Sequence, residues 1–205
     1  MTPADIDPLV PDRVVRVLES GKEEAAGELL REHAEALART SPGRGRRWSR
    51  RAAAASFDRP LFGGFVQWSA GAVYHLVGET DLAEAELERA SRTMARAGRR
   101  DLADRVGLLL VDVYGEQLRL PRARVTARRL ERRFAERGDD ERSAVALANL
   151  GCAEDAADRV ERARALWRQA LRRLPAGGLR HLLARANLAN SAALMGRFGE
   201  GCRGR

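Results

Sequence analysis

A 40-residue beat constrains this chain more than any single motif in it. Gly71, Tyr74, Gly78, Ala83, Leu87 and Ala90 recur, imperfectly, as Val111, Tyr114, Leu118, Ala123, Ala127 and Leu130. They recur again as Gly151, Glu154, Asp158, Ala163, Trp167 and Ala170. Tyr74 and Tyr114 are 40 residues apart, as are Ala83 and Ala123, and Ala123 and Ala163. A fixed period of this length marks a stacked repeat array, in which each module buries its apolar face only against its neighbours. Arrays of this kind bind other molecules more often than they carry out chemistry.

Small and large residues alternate within the beat as two antiparallel helices require. Gly71, Ala83, Ala90, Gly151, Ala163 and Ala170 allow close approach, and Tyr74, Leu87, Tyr114 and Trp167 fill the gaps. The pattern predicts first helices over 65–77, 101–117, 141–156 and 179–195, and second helices over 80–97, 120–136 and 159–173. Gly78, Gly98, Gly138 and Gly177-Gly178 fall between them, where helices end in glycine. Asp101, Asp139 and Asp140 are candidate N-caps.

The spacing resembles the tetratricopeptide repeat, W-x2-L-G-x2-Y, then A-x3-F, then P. Leu150-Gly151 supplies the LG pair, Ala163 and Trp167 the A-x3-aromatic pair, Ala170 the next small residue and Pro175 the closing proline. The unit at 64–97 carries Gly71 and Tyr74 and then Ala83, Leu87 and Ala90. The unit at 104–137 carries Tyr114, Ala123 and Ala127 but lacks the turn glycine. A fourth unit starts near His181, with Leu188-Ala189, Gly196 and Arg-Phe-Gly-Glu, and has Gly201 where alanine is expected. The resemblance covers roughly residues 60–200. It implies an all-α fold, a right-handed superhelical solenoid of antiparallel helix pairs. The 40-residue style is similar to the arrays of bacterial CHAT-domain and signalling proteins. Nothing here matches a catalytic domain, so no protease activity carries over.

That resemblance also implies a concave groove lined by the first helix of each unit. By register the first unit contributes Phe65, Trp68, Ala72, His75 and Leu76, and the second Arg105, Leu108, Asp112, Gly115 and Glu116. The third contributes Val145, Ala148, Cys152, Asp155 and Ala156, and the fourth Leu183, Ala186, Asn190, Ala193 and Leu194. Phe65, Trp68, His75, Arg105, Asp112, Glu116, Asp155 and Asn190 are the partner-binding candidates among them. Such a groove is apolar at its ends and acidic in the middle, and suits a segment with apolar anchors around a central Arg or Lys. Chaperone-binding members use lysines and asparagines to hold a C-terminal carboxylate, and that set is missing.

The chain of 205 residues carries a net charge of +8, which raises nucleic acid as a partner. Yet of its 37 basic residues only Lys22 is a lysine. That skew, with abundant Ala and Gly, fits GC-rich codon choice and dilutes the binding signal. Arg124, Arg128 and Arg132 align along 120–136, as a solvated helix back or as a phosphate-binding stripe. At 42–51, Pro42, Gly43 and Gly45 suggest a loop, and Arg44, Arg46, Arg47, Arg50 and Arg51 surround Trp48, reading as a basic linker or as a single-strand binding tract.

No catalytic constellation appears. His33, His75 and His181 fall on separate helices, and Cys152 and Cys202 have neither metal nor disulfide spacing. No cofactor is implied. There is no apolar run of 18 residues and the acidic N-terminus is not a signal peptide, so a cytoplasmic chain without membrane contact is expected.

The expected organisation is a helical hairpin or cap over 1–41, a basic linker over 42–60 and about three and a half units over 61–205. The last unit turns at Gly196-Arg197-Phe198 and lacks its second helix, which leaves Leu182, Leu183, Leu188 and Leu194 partly uncovered. Pairing with a second copy, or a longer protein beyond this segment, would cover them. The expected function is a non-catalytic scaffold or sensor array for a protein or peptide partner. An arginine-mediated nucleic-acid binder is the alternative.

Overall fold

The computed structural model describes residues 11–54 and 58–201, with side chains as far as residue 191. Among these residues the chain is all α, with ten helices and no strand. They are α1 (Asp12–Glu19), α2 (Glu23–Thr40), α3 (Pro42–Ala54), α4 (Pro60–Leu76), α5 (Thr80–Arg96), α6 (Arg100–Glu116), α7 (Leu120–Glu136), α8 (Asp140–Ala156), α9 (Val160–Leu171) and α10 (Leu179–Gly201).

The beat has a finer grain in three dimensions. Helices α4 to α8 are each 17 residues long. Each is followed by a residue with left-handed backbone: Gly78 (φ 80°), Gly98 (77°), Leu118 (56°), Gly138 (72°) and Asp158 (57°), spaced every 20 residues. The next N–H then bonds the carbonyl five residues back. Glu79 reaches Tyr74 at 2.9 Å, Arg99 reaches Met94 at 2.9 Å, Arg119 reaches Tyr114 at 2.8 Å, Asp139 reaches Phe134 at 2.9 Å and Arg159 reaches Glu154 at 2.9 Å. This is the Schellman closure, which satisfies carbonyls that the helix end orphans. The 40-residue period is therefore two 20-residue halves, each a helix plus its turn.

The chain divides into two compact units, Met1–Val113 and Tyr114–Arg205. In the first, α2 packs on α1, α3 and α4, and α4 packs on α3 and α5. Val14, Leu18, Leu30, Trp48, Phe62 and Val66 share one core there. A Cβ on Gly71 would stand 2.6 Å from Leu87 Cγ, so only glycine lets α4 and α5 meet. In the second unit α8 packs on α7 and α9, and α10 packs on α9 and touches α8. Trp167 fills the same role beside Gly151, where a Cβ would lie 2.5 Å from its Nε1. Complete burial of a Leu or Phe side chain contributes about 1.5–3 kcal/mol, so these interlocked pairs hold the hairpins together.

Two expectations are corrected. Residues 42–54 are not a linker but the helix α3. Pro42 opens it, where proline's fixed φ suits a first turn. Gly45 serves close packing, because a Cβ there would lie 2.9 Å from Ala38 Cα. Trp48, Ser49 and Ala52 are buried, and Arg46 Nε holds Glu79 at 2.6 Å. An indole placed inside the core is not available for stacking on a base. At the other end, α10 stays helical through Gly201, so the turn expected at Gly196–Phe198 is absent. Asp139 does cap α8, its Oδ1 accepting from the Arg142 N–H at 3.0 Å. Asp101 lies inside the first turn of α6, bound to Arg99.

Candidate partner-recognition face

In the first unit the predicted groove residues form a packed cluster. Phe65 is fully buried and stacks on Trp68, ring centroids 5.8 Å apart. Trp68 is itself only 7% exposed. Both Arg31 and Arg105 lie over its indole, each 5.2 Å from the centroid. Their charges are held in place by α2. Arg31 donates to Glu35 at 2.5 Å and to Glu28 at 3.1 Å, and Arg105 Nη2 meets Glu28 Oε1 at 2.7 Å. Arg99 reaches Glu24 at 2.6 Å on the same helix. Phe65, Trp68 and Arg105 are thus brought together, but as cation-covered core rather than as an open lining. The acids of α2 were the missing information, because they belong to a helix the repeat pattern assigned to a cap.

The remaining candidates of this unit are more open. His75 is half-buried near the end of α4, where its carbonyl accepts from Gly78, and Asp112 is half-buried on α6.

In the second unit Gly115 and Val145 are buried and Ala148 is half-buried, but the later register positions reach solvent. Glu116, Cys152, Asp155 and Ala156 are exposed, as are Leu183, Ala186 and Asn190. Asn187 Nδ2 donates to Cys152 Sγ at 3.4 Å, which sets the exposed face of α10 beside that of α8. Leu183 is 54% exposed and Leu182 51%, next to Leu179 at 72%. Apolar side chains this open on a regular helix are surface available for contact. Ala193 and Leu194 lie outside the residues whose side chains are described.

Three of the six arginines of α7 pair with acids of the second unit. Arg124 holds the buried Glu154 through Nε–Oε1 and Nη2–Oε2 contacts of 2.6 and 2.7 Å. Hydrogen bonding by Arg124 holds the Glu154 carboxyl below its ordinary range. Arg128 pairs with Glu131 at 3.9 Å and Arg132 with Glu136 at 3.7 Å. Both arginine side chains stay more than half exposed.

Among the described residues no group of three or more His, Cys, Asp or Glu could hold a metal. None of the described helices is long and apolar enough to cross a membrane.

No known protein family matches the chain, and no curated protein matches it. Solved structures do. The crystal structure of BtubC (BKLC) from P. vanneervenii matches 98% of this chain and 86% of that one, with a TM-score of 0.65 and 20% sequence identity. At that identity the likeness is one of fold.

Proposed function

We propose that the chain is a tetratricopeptide-like solenoid acting as a non-catalytic, cytoplasmic protein-recognition scaffold. The recurring helix ends and the Gly71–Leu87 and Gly151–Trp167 contacts support the repeat reading. One observation carries the functional reading: the hydrogen bond from Asn187 to Cys152 sets two first-helix faces side by side while Asp155, Leu183 and Asn190 stay exposed. An apolar anchor flanked by an acid and an amide suits a helix or extended peptide with a hydrophobic residue next to Arg or Lys. Phe65 and Trp68 have no place in this surface, since they stabilise the first unit instead. A second copy of the chain could occupy the same leucines, and the oligomeric state measured with each variant separates the two occupants. The test is selection of peptides from a random library on the full chain, followed by affinity measurement on Leu183→Asp and Asp155→Arg. Loss confined to these variants supports the face; binding indifferent to both overturns it.

A further inference from the structure

The chain's excess charge lies on one side of its division. The second unit, 114–205, holds 20 arginines against 11 acidic residues, a net of +9. The first holds 17 basic and 18 acidic residues, a net of −1, and the two make up the +8 of the chain. A difference this sharp is not what uniform codon bias produces, because codon bias acts on both halves alike.

Within the second unit, arginines converge on a cleft of about 450 Å³ between α9 and α10. Arg164, Arg168 and Leu171 line it from α9, and His181, Arg185 and Leu188 from α10. On both helices the spacing is i, i+4, i+7, so each contributes a stripe of two basic residues and a leucine. The only acid bonded to this set among the described residues is Glu161, 3.2 Å from Arg164 and itself 69% exposed. Arg168 and Arg185 project into solvent. Arg164 Nε and His181 Nδ1 are buried and meet no hydrogen-bond partner among the described residues. Buried polar atoms are normally satisfied, so two orphaned nitrogens on lining side chains leave hydrogen-bonding capacity unused beside a cleft whose exposed Arg168 and Arg185 meet no acid among the described residues.

We propose that this cleft takes the carboxylate of an acidic side chain on a partner protein, with Leu171 and Leu188 receiving an apolar neighbour. It deepens the reading above and rests on it only in taking the partner to be a protein. Guanidinium groups match a carboxylate geometrically as well as electrically, and the half-apolar wall suits a peptide better than a bare ion. A nucleic-acid strand would want aromatic platforms beside the arginines. The described aromatic residues of this unit, Tyr114, Phe134 and Trp167, are all buried.

The experiment is fluorescence anisotropy of a labelled Glu-Glu-Leu-Glu-Glu-Leu peptide with the full chain at physiological ionic strength. Arg168→Glu and Arg185→Glu are the cleft variants. Both sites are exposed, so folding is preserved, and circular dichroism confirms it. Arg132→Glu on α7, where the side chain is 73% exposed, is the charge-matched control. Each cleft variant is expected to weaken binding by about tenfold or more and the control by less than about twofold. Equal weakening by all three, no binding by the wild-type chain, or tighter binding of an equally charged single-stranded DNA that Arg168→Glu abolishes would each overturn the proposal. The probe has no basic residue for Asp155 to meet, so it reads the cleft and not the α8–α10 face. Failure of the α8–α10 face with the acidic probe still bound would therefore reject that face and leave the cleft standing.

Discussion

Arg124 and Glu154 form a two-pronged ion pair, 2.6 and 2.7 Å, with the carboxylate side chain only 4% exposed and the guanidinium 34%. Because the folded carboxyl is held below its unfolded value, the pair contributes stability above the unfolded glutamate value of about 4.3 and loses it as pH falls through the folded value. Arg124→Ala leaves Glu154 buried without its partner. Allowing for the partial exposure of Arg124, the expected loss is about 1–2 kcal/mol at pH 7, shrinking on acidification. Urea melts at pH 7 and pH 3 check both size and sign.

Glu86 behaves in the opposite sense. It is 7% exposed, its Oε2 has no hydrogen-bond partner, and burial raises its carboxyl above the ordinary value, with only Arg89 at 3.5 Å opposing. A raised carboxyl costs stability as pH rises from the unfolded value through the folded one. Glu86→Gln is therefore expected to be neutral or stabilising by up to about 1 kcal/mol at pH 7, with no benefit below pH ~4. The same melts across that range decide it.

Leu118 and Asp158 occupy turn positions that glycine fills elsewhere, at φ 56° and 57°. Left-handed backbone costs a side-chain-bearing residue about 1 kcal/mol or more, and Leu118 is 59% exposed, so it has little packing to lose. Leu118→Gly is expected to raise stability by about 0.5–1 kcal/mol, and Asp158→Gly by less. Gly138→Ala, at φ 72°, should lower it. Thermal denaturation ranks the three.

Gly151 faces the indole of Trp167, whose Nε1 donates to the Ala148 carbonyl at 3.2 Å. Gly151→Ala drives a methyl into that ring and should cost about 1–3 kcal/mol by overpacking. Combining it with Trp167→Leu is expected to recover part of the loss, a coupling that a double-mutant cycle measures.

Trp68→Ala should destabilise the first unit by about 3–5 kcal/mol, the cost of emptying a buried aromatic site. The repeat register placed this residue toward a partner. Arg31 and Arg105 over the ring explain why it stays inside.

Much of the helix layout was legible because glycines and small residues mark it. Helix α8 begins and ends within one residue of the 141–156 expected from the beat, and α7 coincides with 120–136. Residues 42–54 misled, because Pro and Gly read as a linker when nothing local shows that Gly45 is pressed against Ala38. The groove misled for a related reason. Register says which way a side chain points on its own helix, but not that Glu28 on α2 anchors Arg31 and Arg105 over Trp68. The cleft between α9 and α10 was hidden in a chain where arginines occur everywhere. What distinguishes it is that three arginines and a histidine from two helices line one cleft, with Glu161 as the acid bonded to them among the described residues.

Titration calorimetry of library-selected peptides decides whether the joined faces of α8 and α10 recognise a protein segment. Leu183→Asp and Asp155→Arg are each expected to weaken binding by about tenfold or more. Val125→Asp on α7, at a side chain 69% exposed, should change it by less than about twofold. Full affinity in both face variants, or equal loss in all three, would contradict it.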